Sequence, residues 1–299
     1  MKKRPTLTIG IPAYNEEKNI VRLLTDLLHN RQSTYRLEKI IVISDGSTDA
    51  TPRLVNKFAN ENVLLVHTPK RYGQAYAQNL IIKRTSSDYL LLLNADVRIK
   101  DADFIDATLM PFRSSLNVGL VSARVIPLPA TTFIEKTINW SHMVKTSMYE
   151  KNLHSIYLCH GRARIFSKKL YTQLAFPKII AEDAYSYLRA KALKYRFAYA
   201  LDARVYFRSP ATLRDHFLQS QRFIRGKREL ALYFNPATLK SAYRLPDHGA
   251  LTLWLAAAAA HPVYAAAYLS IHIISAITLR YHEQHTQAVW RPSESTKSL

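Results

Sequence analysis

Four short apolar runs, each closed by a polar cluster, constrain this 299-residue chain more than any other feature. Leu7 to Ile11, Ile40 to Ile43, Val63 to Val66 and Tyr89 to Leu93 are β-branched or leucine-rich and bounded by turn residues. Such runs suit strands of a parallel sheet covered on both faces. Between them, Glu16 to Leu28, Asp49 to Phe58 and Gln74 to Arg84 have helical periodicity, with Asp49 placed to cap the second. Strand and helix alternate, so the predicted fold is α/β, a doubly wound, Rossmann-like and mostly parallel sheet. Beyond Ile99 the alternation loosens. A helix is expected at Asp101 to Phe112, a strand at Gly119 to Val125, an amphipathic helix at Phe133 to Tyr149, and a long aromatic and basic helix at Ala211 to Phe234.

The polar clusters are Pro12-Ala13-Tyr14-Asn15-Glu16, Asp45-Gly46-Ser47, His67 to Gly73 and Asn94-Ala95-Asp96. In an open parallel sheet the carboxyl ends of the strands line one crevice, which brings these four together. Asp45 and Asp96 amid Lys70 and Arg71 suit a phosphate-bearing ligand held through a divalent cation, because Mg²⁺ and Mn²⁺ prefer carboxylate and phosphate oxygens. Each aspartate alone reads as a solvated turn or a helix cap, and only their convergence points to a site. No G-x-G-x-x-G follows the first strand and no G-x-x-x-x-G-K-[ST] occurs, which disfavours a dinucleotide oxidoreductase or a P-loop NTPase. Gly46, Gly73, Gly161 and Gly226, four of only seven glycines, lie in or beside polar clusters, where a close backbone approach requires them.

Composition narrows the class of partner. With 48% hydrophobic and 21% charged residues the chain can bury a real core. The one cysteine, Cys159, excludes an intrachain disulfide framework, and without Cys/His clusters a structural zinc site is not expected; a reducing compartment is. The net charge of +20 attracts anions: nucleic acid, phosphorylated substrates or an acidic membrane. Residues 235–299 hold five basic and three acidic residues, which leaves +18 upstream. A nucleic-acid-binding protein is one reading of that charge, but the basic residues are spread through helices and form no binding module, so no nucleic-acid partner is expected. Met1 to Pro5 leads into a strand-like run and not an apolar segment with a cleavage site, so no secretory signal is expected and the domain is expected in the cytosol.

Gly249 to Leu279 is 31 residues without Asp, Glu, Lys or Arg. As one helix it would reach about 46 Å, longer than the roughly 30 Å hydrocarbon core of a membrane. A single tilted or kinked transmembrane span is expected, with any break at His261-Pro262; two crossings would leave only about 13 to 17 residues each. The alternative is a buried alanine-rich core helix.

Five motifs in order, Ile11-Pro12-Ala13-Tyr14-Asn15-Glu16-Glu17, Ser44-Asp45-Gly46-Ser47-Thr48-Asp49, Asn94-Ala95-Asp96, Glu182-Asp183 and Gln219-Ser220-Gln221-Arg222-Phe223, resemble the signature of family 2 glycosyltransferases with the GT-A fold. The resemblance runs from Leu7 to about Lys227. It implies inverting transfer of a sugar from a nucleotide-sugar donor, commonly UDP-linked, with Mg²⁺ or Mn²⁺. Position by position, it implies that Asp45 contacts the base or ribose in a pocket shaped by Pro12, Tyr14, Asn15 and Glu16, with Arg71, Gly73 and Asn94 beside it, and that Asp96 holds the metal. The family's usual metal motif is D-x-D, and Asn94 replaces its first aspartate; Phe207 stands where many members have a histidine.

Asp183 resembles the catalytic base, which in a single displacement takes the acceptor proton, and Glu182 would help to raise its proton affinity. Read without the other motifs, both acids simply favour a helix N-terminus. Gln219-x-x-Arg222-Phe223 resembles the Q-x-x-R-W motif of membrane-bound members, on the acceptor and diphosphate side, and the loop around Gly161 resembles the acceptor-side loop. The implied organisation is a GT-A domain over 1–235, including an interfacial basic helix at 211–234, then a linker at 236–248, a membrane segment at 249–279 and a polar tail at 280–299. The implied acceptor is a lipid-linked or growing polysaccharide at the membrane. A catalytically silent homologue acting as a scaffold is the alternative raised by Asn94 and Phe207.

Overall fold

The computed structural model describes residues 4–114, 117–245, 249–281, 294–297 and 299, with 276–281 by backbone only. Seven strands form one sheet: β1 (Thr6–Ala13), β2 (Arg36–Asp45), β3 (Val63–Thr68), β4 (Tyr89–Leu93), β5 (Val118–Pro127), β6 (Ala163–Ser167) and β7 (Arg196–Phe207), in the order β3-β2-β1-β4-β6-β5-β7. β6 runs antiparallel to both β4 and β5, and the other six strands share one direction. The predicted mostly parallel α/β sheet is what forms. The order reverses between β1 and β4, so the crevice opens at the carboxyl ends of those strands.

Two apolar layers cover the sheet, and alternate residues of a strand feed opposite layers. Ile40 and Val42 pack with Leu23, Val55 and Phe104, from α1 (Ile20–Leu28), α2 (Thr51–Asn56) and α4 (Phe104–Ser114). Ile41 and Ile43 pack with Ile81, Leu170 and Leu188, from α3 (Gln74–Lys83), α6 (Lys168–Tyr171) and α7 (Glu182–Ala192). Burial on both faces is why β1, β2 and β4 read as continuous apolar segments without alternation; β3, at the sheet edge, leaves Leu64 exposed. α3 lies so close to β1 that a Cβ on Gly10 would stand 2.3 Å from Ile81 Cγ2.

The remaining helices are α5 (Phe133–Tyr149), α8 (Leu213–Leu230), α9 (Pro236–Ala242), α10 (Gly249–Ala260) and α11 (Pro262–Tyr281). A capping box in which Thr132 and Glu135 exchange hydrogen bonds opens α5. Residues 236–245 differ from the expected linker: Asn235 caps α9, and the Tyr243 ring packs 5.7 Å from that of Tyr157, so this stretch belongs to the domain. Residues 246–248 lie outside the described residues, as does most of the expected polar tail.

The break expected at His261-Pro262 is present: the chain bends by 118° between α10 and α11, where Pro262 has no N–H to continue the helical ladder. Among the described residues no single helix is long and apolar enough to cross a membrane; the bent pair reaches that length and composition only together. Nor is the pair a core element, since Leu251, Leu255, Val263, Ile273 and Ile274 are exposed. It rests on α5 through Phe133 against Tyr264 (5.9 Å) and Trp140 against Tyr268 (6.4 Å).

Gly10→Ala is expected to destabilise the protein by about 1–3 kcal/mol, because the added methyl overpacks the β1–α3 contact. Urea denaturation against wild type measures it, and an unchanged midpoint would mean that Ile81 has room to move aside.

Candidate active site

The loop after β1 and the loop after β2 are tied together residue by residue. Asn15 sits at φ 52°, a left-handed conformation that Asn tolerates better than most residues. There its N–H donates to Ser47 Oγ (3.1 Å), while its side-chain oxygen accepts from Thr48 N (2.8 Å). Glu16 N donates to Thr51 Oγ1 (2.7 Å) and Glu17 N to Asp49 Oδ2 (3.1 Å), and Glu17 Oε2 accepts from Ala50 N (3.0 Å). Asp49 also accepts from Thr51 N, but it stands one residue ahead of Ala50, the N-cap of α2, so the expected side-chain cap does not form. This lacing delays α1 to Ile20, four residues later than its periodicity implied.

Asp45 is buried and accepts from Tyr72 N (2.9 Å) and Gly73 N (2.7 Å), which fixes the loop after β3 across the end of β2. That loop carries Arg71, whose guanidinium lies 3.9 Å over the Tyr14 ring and feels the Asp45 charge. Pro12, Tyr14, Asp45, Arg71 and Gly73 thus line one edge of the crevice. A cavity of about 460 Å³ opens between Lys70 to Tyr76 and Phe176 to Ile180, with Glu182 in its wall. A larger groove of about 610 Å³, near His154, Tyr195 and Arg244, involves none of the residues predicted from sequence and bears no carboxylate.

Asn94 and Asp96 follow β4. The Asn94 side-chain oxygen accepts from Gln74 Nε2 (3.0 Å), the first residue of α3, which the sequence did not single out. Asp96 stands half-exposed, close enough to Glu16 for its charge to act there. Mg²⁺ and Mn²⁺ commonly use one or two carboxylates and take their other ligands from phosphate and water, and Asp96 meets that need. Among the described residues no cluster of three or more His, Cys, Asp or Glu could cage an ion. The donor set therefore fits a cation that arrives with a diphosphate.

Across the crevice, α7 begins with Glu182 and Asp183, where acidic residues also favour the helix N-terminus. Asp183 Oδ2 accepts from Gly161 N (3.2 Å). A Cβ on Gly161 would lie 3.3 Å from Glu182 Oε1, a tight approach, and 3.5 Å from Asp183 Oδ2, an ordinary contact. Burial first, and the Asp183 charge second, push the Glu182 carboxyl up to about 7. Its counter-cation is Arg164, fully buried, with Nη2 at 3.9 Å from Glu182 Oε1 and Nη1 donating to Glu182 O (3.0 Å) and Ser186 Oγ (2.8 Å). α8 approaches the start of α7 closely at Gly226, where a Cβ would be 2.7 Å from that of Ala181. This brings Arg222 within reach of the Glu182 and Asp96 charges, while Gln219 is half-buried and Phe223 is 59% exposed. Lys227 and Arg228 are exposed on the solvent face of α8.

Sequence reasoning missed Lys297. Its ammonium donates to the carbonyls of Tyr14 (2.6 Å) and Asn15 (2.7 Å) and lies 3.5 Å from Glu16 Oε1, while its own carbonyl accepts from Asn19 Nδ2 (2.7 Å). Ser295 bonds Asp215 in the first turn of α8. Residues 294–297 therefore bridge α8 to the loop after β1. Burial and the nearby Asp96 push the Glu16 carboxyl up to about 7, against the pull of Lys297. A lysine so far along the chain, in a polar stretch, carries no local signal of this role.

Comparison with known proteins agrees with this fold. Residues 8–174 match the family described as "Glycosyl transferase family 2". A poly-beta-1,6-N-acetyl-D-glucosamine synthase of Staphylococcus aureus (strain COL) is 26% identical over 241 residues, covering 79% of this chain and 58% of that protein. The chain thus spans a little over half the length of that relative. Among solved structures, the mannosyltransferase PcManGT from Pyrobaculum calidifontis, in complex with GDP-Man and Mn²⁺, has a TM-score of 0.64 at 21% identity, covering 94% of this chain and 80% of that one. TarS residues 1–349 from S. aureus, in complex with UDP, has a TM-score of 0.58 at 17% identity, covering 94% and 75%.

The raised Glu182 carboxyl has a definite sign in stability. Its folded value lies above the 4.5 of the free group, so it favours the fold fully below about pH 4.5. That contribution drains away as the pH climbs to about 7 and stays lost above it. Glu16, raised for similar reasons, acts in the same window. Glu182→Gln is expected to lessen the fall in denaturation midpoint between pH 4.5 and 7.5; a variant with the wild-type slope would mean that Glu182 ionises in the fold as readily as outside it. Lys297→Ala should cost roughly 1.5–3 kcal/mol, since it leaves Glu16 and two carbonyls without their charged donor. A wild-type urea midpoint would count against that latch.

Proposed function

The chain belongs to glycosyl transferase family 2, and from that premise we propose that it is an inverting enzyme that moves a sugar from a nucleotide-sugar donor, UDP-linked, to a hydroxyl of a lipid-linked or growing glycan at a membrane. One observation carries the reading. The Asp96 and Asp183 carboxylates act on the same guanidinium, that of Arg162, so the end of β4 and the start of α7 face one space. A metal-diphosphate on one side and a base on the other is what a single displacement requires.

In this reading the nucleotide lies along Pro12, Tyr14, Asn15, Glu16, Asp45, Arg71, Gly73 and Asn94. Much of the motif also holds the loops together, so these residues keep the pocket's shape as well as touching its ligand. A divalent cation, Mg²⁺ or Mn²⁺, held with the donor at Asp96, would offset charge on the leaving diphosphate. Asp183 takes the proton of the acceptor hydroxyl as that oxygen bonds C1, and the C1–O bond to the diphosphate breaks with its electron pair going to the phosphate oxygen. Glu182, pushed up to about 7 by burial and the Asp183 charge, keeps its proton on about half of the molecules near neutral pH, and Asp183 is the base. Gln219, Arg222 and Phe223 border the acceptor and diphosphate side, together with Gly161.

A membrane setting is supported by exposed Phe223, Leu232, Leu251, Val263 and Ile273 and by the bent apolar pair α10–α11. The +18 upstream of residue 235 favours an anionic cytosolic leaflet. A catalytically silent scaffold is the second reading, favoured by Asn94 in the metal motif and by Phe207. Nucleotide release from a panel of UDP- and GDP-sugars with Mn²⁺, using membrane-embedded protein, separates the two; no release with any donor or acceptor lipid extract would sink the enzyme reading.

Asp183→Asn is expected to lower transfer by roughly 10²-fold or more with nucleotide binding retained. Turnover within a few-fold of wild type would remove Asp183 from the role of base. Asp96→Ala should lose turnover and metal-enhanced nucleotide binding together, and full turnover in excess chelator would refute it. Phe223→Ala should fold normally, since its ring is largely exposed, while transfer to acceptor falls more than nucleotide affinity.

A further inference from the structure

Arg162 follows Gly161 at the start of β6. Its carbonyl accepts from Asn94 N (3.0 Å), which pins it beside the Asn94–Asp96 loop. Its guanidinium carbon lies over the Phe207 ring, 3.9 Å from the centroid, and His142 packs edge-on to that ring at 5.3 Å. Burial, reinforced by the Arg162 charge, holds His142 down at about 4 and His160 down at about 3, so both imidazoles are neutral and Arg162 is the cation of this wall.

Two further guanidiniums approach from other elements. Burial and the proximity of Arg162 lower Arg222 of α8 to about 10, and Arg71, on the loop after β3, acts on it too. Three like charges drawn from separate elements repel one another, and Asp96, Asp183 and Glu182 offset them only in part. Arg162 Nε is buried with no hydrogen-bond partner. A buried orphan donor within a cluster of converging cations is the signature of a site for a multiply charged anion.

We propose that Arg162, shelved on Phe207, binds the β-phosphate of the donor and the leaving nucleoside diphosphate, supplying positive charge where Asn94 and Phe207 leave the cation with a single carboxylate ligand. The proposal rests on the glycosyltransferase reading. As C1 passes to the acceptor oxygen and the proton to Asp183, the electron pair of the broken C1–O bond settles on the phosphate oxygen that Arg162 faces. The aromatic shelf fixes the plane of the guanidinium, so its fork is aimed before the donor arrives.

The test measures affinity of the full chain for UDP and UMP by calorimetry, with chelator and with Mn²⁺, in wild type, Arg162→Ala, Arg162→Lys and Phe207→Leu. Arg162→Ala is expected to weaken UDP at least about 10-fold in chelator, less with Mn²⁺, and to leave UMP within about 2-fold. Arg162→Lys and Phe207→Leu should weaken UDP by a smaller factor with UMP again unchanged. If Arg162→Ala does not fold, these two variants decide. An unchanged ratio of UDP to UMP affinity in the folded variants overturns the proposal while wild-type UDP binding keeps the wider reading intact. Wild type that binds neither UDP nor GDP overturns both.

Discussion

A guanidinium with no solvent exposure must find partners in its surroundings, because it cannot shed its proton to escape the cost of burial. Arg164 meets most of that demand through its two Nη atoms, which gather the main chain of Glu182, the hydroxyl of Ser186 and the Glu182 carboxylate around one centre, with Gln78 of α3 at the edge, while its Nε stays buried without a partner. The first turn of α7 is held against the sheet by these contacts. The two acidic residues that open the helix therefore keep a fixed relation to β4, its neighbour across β6, and to Asp96 beyond it. The active crevice is a consequence of that buried charge as much as of the parallel strands.

Legibility of the fold followed burial. β1, β2, β3 and β4 are apolar through their cores, and their periodicity announced them; β6 has Arg164 at its centre, so the one antiparallel strand was hidden by the residue that matters most to it. Asp45, Asp96, Arg71 and Asp183 could be singled out because each lies at the end of a readable element. Gln74 and Lys297 could not, since their partners are 20 and more than 280 residues away and nothing local marks the contact. The 249–279 stretch was read by its lack of charge and its break by Pro262; neither property carries the 118° angle between the two helices.

The signature residues also divide by what they do. Asn15, Glu17, Ser47, Thr48 and Asp49 spend their polar groups on one another, and Asp45 spends its carboxylate on two amides. A motif recognised by its sequence is thus in part a record of how two loops are fastened. Tyr14 instead pairs with Arg71 from the loop after β3.

The contact made by Lys297 closes a circuit. Beyond the described residue Leu245 the chain runs through α10, turns by 118°, runs through α11 with the pair resting on α5, and is at α8 and the loop after β1 by Ser295 and Lys297. A path that departs from and returns to one body cannot cut a barrier an odd number of times. For any bilayer against which α10 and α11 lie, the pair is a dip into one leaflet or a there-and-back excursion. Under the proposed function, the donor pocket and both ends of the excursion then share a compartment, so an acceptor carried in that leaflet could meet the nucleotide without either changing sides.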